Sequence, residues 1–301
     1  MSPAFPASPA LPARRVLFVH AHPDDETLTT GGAIARYAAD PDTACVVVTC
    51  SLGEEGEVIP PELRELAPDR GDQLGGYRVH ELAGALAALG GPEHRFLGGL
   101  GRWRDSGMEH GEGTRAVTPA VLHPRALAAP GTFEEQLAQL LAVVDELRPQ
   151  VVVSYADDGG YGHPDHVRAH TLTTAVAEAR PETVARVFHA VRSRSELDAG
   201  LASIKGLPGM PFRFPEPDEL PSAPDAVVTT RLDVSGHRAA LVAAMRAHAT
   251  QIAVWESDGP EGAVAFAMSN DVAQPLIDVE EYALASGAGP APADDLFAGL
   301  D

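Results

Sequence analysis

The chain of 301 residues is long enough for one large domain, or for a domain with an added lobe, and it can bury a sizeable core. Its 22 basic side chains stand against 43 acidic ones, a formal net charge of −21 that argues against nucleic acid and anionic membrane surfaces as partners. Cys45 and Cys50 lie on one expected strand with their side chains on opposite faces, so they predict free thiols in a reducing cytoplasm.

The N-terminal residues 1–13 are rich in proline and alanine and contain no long apolar run, which predicts a disordered tail and not a signal peptide. A buried strand follows at residues 16–19, which are apolar without alternation, as is typical of a parallel strand covered on both faces. Pro23 cannot donate to a strand ladder, so the strand ends before it. The pattern then predicts a helix over 27–39, a strand over 44–49, an irregular acidic loop over 52–68, a helix over 71–89, a strand over 95–97 and a long loop to residue 131.

In the second half, Thr132 is expected to cap a helix over 133–147, with Glu135 at the capping-box position. An apolar strand over 151–155 and a glycine-rich turn come next. Pro164 then suits the first turn of a helix that runs to Ala179. The remaining elements are a strand over 184–190, a loop-rich segment over 195–224 with six prolines, a strand over 226–234 and a helix over 236–250.

Because strands and helices alternate, the sequence predicts an α/β fold: a Rossmann-like parallel sheet flanked by helices, with a smaller C-terminal lobe. We divide the chain into the tail at 1–13, a metal-binding core at 14–190, a lobe at 191–286 and a second tail at 287–301. The lobe is expected to close the site and to form one catalytic unit with the core.

Two polar clusters follow the two most strongly apolar strands. Residues 20–26 read His-Ala-His-Pro-Asp-Asp-Glu, and residues 163–166 read His-Pro-Asp-His. If both strands belong to one parallel sheet, both clusters reach the same edge, where such sheets bind ligands. His22, Asp25 and His166 are then the predicted metal ligands, since three protein ligands leave one position of a zinc ion open to water.

The other polar residues of the clusters are candidates for chemistry. Asp24 is expected to act as the general base, and His163 to donate a proton or to stabilise developing charge. Asp165 is expected to hold the tautomer of His163, as carboxylates often do. This set suits the hydrolysis of an amide or an ester.

Ordinary structural explanations compete with the metal site. A single His-x-x-Asp pattern means little in a chain with 12 histidines, and acids after a strand often only cap the next helix. The metal site is favoured because both clusters follow buried strands. A dinucleotide site at the first turn is rejected, since Gly-x-Gly-x-x-Gly is absent there and the acids would repel a pyrophosphate.

The motifs at 21–26 and 163–166 resemble those of the LmbE-like (PIG-L) zinc-dependent N-deacetylases of amino sugars. The resemblance covers roughly residues 15–284 and implies the LmbE-like fold and one Zn²⁺ per subunit, although His/Asp ligation also accepts Fe²⁺. Blocks between and after the motifs resemble the branch of the family that serves mycothiol biosynthesis, which implies N-acetylglucosaminyl-inositol as the substrate. These blocks are 48–59, 73–78, 101–108, 159–162 and 247–251.

The resemblance also implies roles for single residues. It gives the metal ligands and the base as above, and it gives His163 the acid or electrostatic role with Asp165 tuning it. Tyr161 matches a mobile tyrosine that helps to stabilise the oxyanion, and flanking glycines would permit its motion. Arg78 and Asp105 match sugar-contacting positions, and Met108 matches a pocket-lining one. Each also suits an ordinary role: Arg78 as a solvated helix residue, Asp105 as a turn former and Met108 as a packing residue.

Two alternatives are kept. A related branch, the mycothiol S-conjugate amidases, carries a lysine seven residues after the first motif histidine, where this chain has Thr29, which favours the deacetylase. The other alternative is a non-catalytic sugar-binding protein with a structural metal. Structural zinc sites are usually closed by four protein ligands, so three good ligands and a spare carboxylate favour an enzyme.

Overall fold

The computed structural model describes residues 11–110, 115–258 and 262–300. The described strands are β1 (Arg14–His20), β2 (Thr43–Thr49), β3 (Glu93–Phe96), β4 (Glu109–His110), β5 (Ala116–Val117), β6 (Val151–Tyr155), β7 (Arg186–Val191), β8 (Thr230–Asp233), β9 (Ala253–Glu256), β10 (Val264–Ala267), β11 (Gln274–Pro275) and β12 (Val279–Ser286). The α-helices are α1 (Asp25–Ala38), α2 (Leu74–Ala88), α3 (Phe133–Leu147), α4 (Pro164–Ala179), α5 (Arg194–Ile204) and α6 (Arg238–Ala247). Short 3₁₀ helices lie at Pro61–Leu66, Asp225–Val227 and Ser235–His237.

The centre of the fold is a seven-stranded sheet in the order β3-β2-β1-β6-β7-β12-β8. Strands β3, β2, β1, β6 and β7 run parallel, whereas β12 is antiparallel to both β7 and β8. The predicted α/β fold with a parallel sheet is therefore confirmed. The carboxyl ends of β1 and β6, which pair directly, meet at one edge, as the sequence predicts.

Strand β1 is covered on both faces. Val16 and Phe18 pack into the core on the side of α1, α2 and α6, while Leu17 and Val19 pack against α3 and α4, and all four are fully buried. Burying each such side chain contributes about 1.5–3 kcal/mol. This burial holds the end of β1 in a fixed place and so fixes where the first motif begins.

Some local predictions are wrong. The hydroxyl of Thr132 donates to the carbonyl oxygen of Ala129 at 2.7 Å, so it makes no cap on α3, and Glu135 pairs with Arg102 instead of closing a capping box. The segment expected to be loop-rich from 195 begins with helix α5, because Ser193 caps it and the first proline comes only at Pro208. The acidic loop at 52–68 contains the first 3₁₀ helix, and the long loop to residue 131 contains the β4–β5 pair, although its residues 111–114 lie outside the described part.

The C-terminal third is tied into the core. Strands β8 and β12 belong to the main sheet, whereas β9, β10 and β11 form a small second sheet, so residues 191–286 are only in part separate from the core. The expected tail at 287–301 is wrong for its described residues, since Leu296 and Phe297 are buried and Phe297 packs on Tyr37 at 5.5 Å between ring centroids. Of the N-terminal tail, residues 1–10 lie outside the described part.

None of the helices in the described ranges is both long and apolar enough to cross a membrane.

Candidate metal centre and active site

The two polar clusters meet at the carboxyl edge of β1 and β6. His22 follows β1, Asp24 and Asp25 begin α1, and His163 and His166 flank the start of α4. Nε2 of His166 lies 3.3 Å from Oδ1 of Asp25, and Nδ1 of His22 lies 3.4 Å from Oδ2 of the same carboxylate. All these side chains are buried. The structure therefore brings together the three residues predicted as metal ligands.

His166 presents a free lone pair to this cluster. Its Nδ1 lies 3.1 Å from the carbonyl oxygen of Gly159, which can only accept, so Nδ1 carries the proton. Nε2 is buried and makes no hydrogen bond to any residue in the described ranges. Tyr155 stacks on the imidazole with ring centroids 4.1 Å apart and an interplanar angle of 12°, which fixes the ring plane.

His22 is oriented from its other side. Its Nε2 lies 3.2 Å from Oδ2 of Asp165 and 3.3 Å from Oδ1 of Asp105, so Nε2 carries a proton, while Nδ1 faces Asp25. Burial alone would lower the pKa of His22, but Asp105, Asp165 and Asp25 raise that pKa well above its usual range. Burial alone would raise the pKa of Asp25, but His166 and His22 hold that pKa well below its usual range. The Asp25 carboxylate therefore lies between the two imidazoles.

Further donors surround these three. Ligand atoms of His22, His163 and His166 lie within 4.8 Å of one another, and so do those of His22, Asp105 and Asp165. Imidazole nitrogen and carboxylate oxygen are suitable ligands for zinc. A buried imidazole nitrogen without a hydrogen-bond partner is costly unless something binds it, so the unpartnered Nε2 of His166 fits a metal site.

Asp24 combines a strained backbone with a buried carboxylate. It is 4% exposed and adopts φ 111°, a region that a non-glycine residue enters at a cost of about 1–3 kcal/mol. Burial, aided by the nearby Asp25, raises the pKa of its carboxyl to about 6, although Arg78 with Nη2 at 3.1 Å acts against the shift. A carboxyl whose pKa lies near neutrality is suited to general base catalysis.

The prediction that the Asp165 carboxylate holds the tautomer of His163 is wrong. Nδ1 of His163 instead accepts a hydrogen bond from the backbone N–H of Asp165 at 3.2 Å, because the first turn of α4 has N–H groups without helical partners. The Asp165 carboxylate accepts from the hydroxyl and from the backbone N–H of Ser106 and contacts His22. Burial, with His22 and His166 adding to it, lowers the pKa of His163 to about 2, so its imidazole is neutral with the proton on Nε2.

Tyr161 lies on the glycine-rich turn between β6 and α4. Its ring centroid is 5.1 Å from that of His166 and 6.0 Å from that of His163. Burial raises the pKa of its hydroxyl, so the hydroxyl stays protonated and can donate. Gly160 and Gly162, on either side of it, have φ of 81° and 93°, values that favour glycine.

The three residues predicted to contact substrate lie in different environments. Arg78 is 3% exposed and donates to the carbonyl oxygens of Pro23 and Gly53, so it is not a solvated helix residue. Asp105 is buried and accepts from the backbone N–H of Gly107 at 2.9 Å besides lying near His22. Met108 is 47% exposed on the loop just before β4. Arg78 and Asp105 therefore both contact motif residues directly.

Sequence reasoning missed several residues of the site. Glu26 is fully buried, accepts the backbone N–H of Asp24 at 3.0 Å and lies 2.8 Å from Nε2 of His248. Ser106 holds Asp165, as described above. Glu26 belongs to the first motif, and Ser106 and His248 lie in the blocks 101–108 and 247–251 that resemble the mycothiol branch. Their position in these segments is the sequence signal that could have identified them. Their partners are distant in sequence, which is why no role was assigned.

Comparisons with known proteins point to one family. The model of the family described as PIG-L, GlcNAc-PI de-N-acetylase, matches residues 17–177. A relative from Actinosynnema mirum, named 1D-myo-inositol 2-acetamido-2-deoxy-alpha-D-glucopyranoside deacetylase, is 57% identical over 95% of this chain and 97% of its own length. A relative of the same name from Saccharomonospora viridis is 54% identical over 95% of this chain and 100% of its own length. A third relative, from Saccharopolyspora erythraea, is named as deacetylase 1 for the same compound and is 55% identical over 95% of this chain and 94% of its own length.

Proposed function

Since the chain belongs to the PIG-L family of GlcNAc-PI de-N-acetylases, we propose that it hydrolyses the acetamide of N-acetylglucosaminyl-inositol to glucosaminyl-inositol and acetate. The observation that carries this proposal is the 57% identity to a deacetylase of that compound over 95% of the chain. In this role the protein is a hydrolase of a carbon–nitrogen bond in mycothiol biosynthesis.

The proposed metal ligands are Nδ1 of His22, the carboxylate of Asp25 and Nε2 of His166, with zinc as the first candidate and Fe²⁺ as the second. When bound, the ion would polarise the acetamide carbonyl and acidify water. The unpartnered Nε2 of His166 supports this assignment, and so does the contact between Nε2 of His22 and Asp165, which turns Nδ1 toward Asp25. In it, Asp165 and Asp105 orient a ligand rather than bind the ion.

Asp24 is proposed to carry the proton through the reaction. Its carboxylate takes one proton from the attacking water and gives it to the nitrogen as the carbon–nitrogen bond breaks, which forms the amine and acetic acid. The second proton of the water stays on the acid until it ionises to acetate and passes that proton to the amine. A pKa of about 6 suits both steps, because the carboxylate can accept a proton near neutral pH and can still release that proton readily.

His163 and Tyr161 are proposed to stabilise the charge that develops on the carbonyl oxygen. Because His163 is neutral with its proton on Nε2, it is suited to donate a hydrogen bond and not to deliver a proton outright. Of the two roles expected for His163, proton donation and charge stabilisation, this favours charge stabilisation. The protonated hydroxyl of Tyr161 is a second donor.

Charge supports a neutral glycoside as substrate. Asp24, Asp25 and Glu26 follow one another at the site, and the whole chain has a net charge of −21, so an anionic substrate would be repelled. A sugar that presents hydroxyls and an amide is not repelled. Arg78, Asp105 and Met108 remain proposed contacts to the sugar and its pocket.

The proposal is tested by amine release from three compounds: N-acetylglucosaminyl-inositol, N-acetylglucosamine and a mycothiol S-conjugate. We expect the fastest release from the inositol glycoside. Release from the conjugate alone would assign the chain to the amidase branch despite Thr29. No release from any of the three by metal-loaded protein would favour a sugar-binding protein with a structural metal.

A further inference from the structure

The backbone of Asp24 is held in its strained conformation by named contacts. Its carbonyl oxygen accepts from the N–H groups of Thr27 at 3.0 Å and Leu28 at 2.9 Å, as the cap of α1. Its own N–H points the other way and donates to Oε2 of Glu26 at 3.0 Å. A peptide at φ 111° keeps this geometry only if both of its ends are fixed.

Glu26 is in turn fixed by two donors. Its Oε1 accepts from the hydroxyl of Thr27 at 2.6 Å and lies 2.8 Å from Nε2 of His248. Both Glu26 and His248 are 0% exposed. A buried carboxylate in this position is stable only with such partners, so the orientation of Glu26 depends on His248.

His248 comes from the opposite part of the chain. It ends α6, 222 residues after Glu26, and its carbonyl oxygen accepts from the N–H groups of Gln251 and Ile252, both at 2.9 Å. The same turn is anchored to α2 separately, because Thr250 donates its N–H and its hydroxyl to Glu81 at 2.8 and 2.6 Å. His248 therefore projects from a rigid turn onto the first motif.

From these contacts we infer that Glu26 and His248 are positioning residues of the reaction: His248 orients Glu26, and Glu26 holds the Asp24 peptide so that the base carboxylate keeps its place beside the metal ligands. The inference rests on the proposed function, in which Asp24 is the base. Neither residue needs to touch substrate, since they act from the far side of the Asp24 peptide.

If His248 only positions Glu26, its removal should affect kcat but neither the metal content nor KM. Removing the His248 side chain leaves His22, Asp25 and His166 in place, so the metal content is retained. The contacts of His248 are with Glu26 and not with the proposed sugar contacts, so KM is retained as well. The kcat falls, on the order of 10- to 100-fold, because a slightly misplaced catalytic group loses much of its effect.

The variants are His248→Ala and His248→Asn, whose amide is too short to reach Glu26, beside His248→Gln, whose longer amide can still donate to it. Thr250→Val is the matched control, because it also removes a buried hydrogen bond to a carboxylate from the same turn, while the backbone N–H of residue 250 still anchors that turn to Glu81. Each change is made in the wild-type chain and in Asp24→Asn, and kcat, KM, bound metal and the unfolding midpoint are measured. A double-mutant cycle of this kind isolates the coupling between two residues.

We expect a lower kcat in His248→Ala and His248→Asn, recovery in His248→Gln, and an unchanged kcat in Thr250→Val despite a lower unfolding midpoint. In Asp24→Asn the His248 changes should cost almost nothing more in the residual rate. An unchanged kcat in His248→Ala and His248→Asn would overturn this inference and leave the proposed function standing. An equal loss of rate in the wild-type chain and in Asp24→Asn would do the same. Wild-type protein that releases no amine overturns the proposed function and this inference with it.

Discussion

At the scale of single residues, the site depends on which nitrogen of each imidazole faces Asp25. The carbonyl oxygen of Gly159 accepts a hydrogen bond from Nδ1 of His166, which turns Nε2 toward Asp25, and the Asp165 carboxylate accepts one from Nε2 of His22, which turns Nδ1 toward Asp25. The sequence predicted the three ligands because their types and spacing suit a metal. It did not predict what orients His22, since Asp165 is 143 residues away from it and stands next in the motif to His163.

Replacing the Asp165 carboxylate tests this orientation. Asp165→Asn should weaken metal binding on the order of 10- to 100-fold, as loss of a carboxylate behind a histidine ligand typically does. The measurement is the metal dissociation constant by competition with a chelator. Ser106→Ala is the matched control, because it removes only one hydroxyl donor to Asp165, and the Ser106 N–H at 2.9 Å remains. An unchanged constant in Asp165→Asn would contradict the assigned role.

At the scale of elements, most of the strands and helices were predictable because apolar periodicity and prolines mark them. Helix α3 spans Phe133–Leu147 and α4 spans Pro164–Ala179, as the sequence predicts. The capping box does not form because the Thr132 hydroxyl donates to the nearby carbonyl oxygen of Ala129 and the Glu135 carboxylate pairs with the distant Arg102. The contact of Glu135 is with a residue 33 positions away, so the local motif cannot reveal it.

Two helical glycines test the packing of α1 against the C-terminal part. A Cβ at Gly32 would lie 2.5 Å from Cβ of Val234, so Gly32→Ala should destabilise the protein by about 1–3 kcal/mol through overpacking. A Cβ at Gly76 would meet nothing within 4 Å, so Gly76→Ala should stabilise by about 0.4–1 kcal/mol. Denaturant unfolding measures both. Equal effects of the two changes would show that α1 does not pack on Val234 as described.

At the scale of the whole molecule, the meeting of the two motifs was predictable because parallel strands share a carboxyl edge. The role of the C-terminal third was not. Strands β8 and β12 run antiparallel into the same sheet, and His248 reaches Glu26 across 222 residues. Neither local periodicity nor composition encodes such pairings, and the apolar residues near position 296 were too few to mark a buried segment.

The C-terminal segment offers a test of this integration. Phe297 is 3% exposed, so Phe297→Ala should cost about 3–5 kcal/mol of unfolding free energy by opening a cavity beside Tyr37. The comparison is Val121→Ala, at a side chain that is 87% exposed, which should change the free energy by less than about 0.5 kcal/mol. Equal midpoints for the two variants in urea would mean that residues 287–300 lie free of the core.

The most direct test of the central claim is amine release from N-acetylglucosaminyl-inositol by three preparations: chelated protein, the same protein with zinc restored, and zinc-loaded Asp24→Ala. The chelated protein should be inactive, zinc should restore release, and Asp24→Ala should keep its metal and lose turnover, because the ligands remain while the base is gone. Release that survives chelation, or a full rate in Asp24→Ala, would contradict a metal-dependent deacetylase that uses this base.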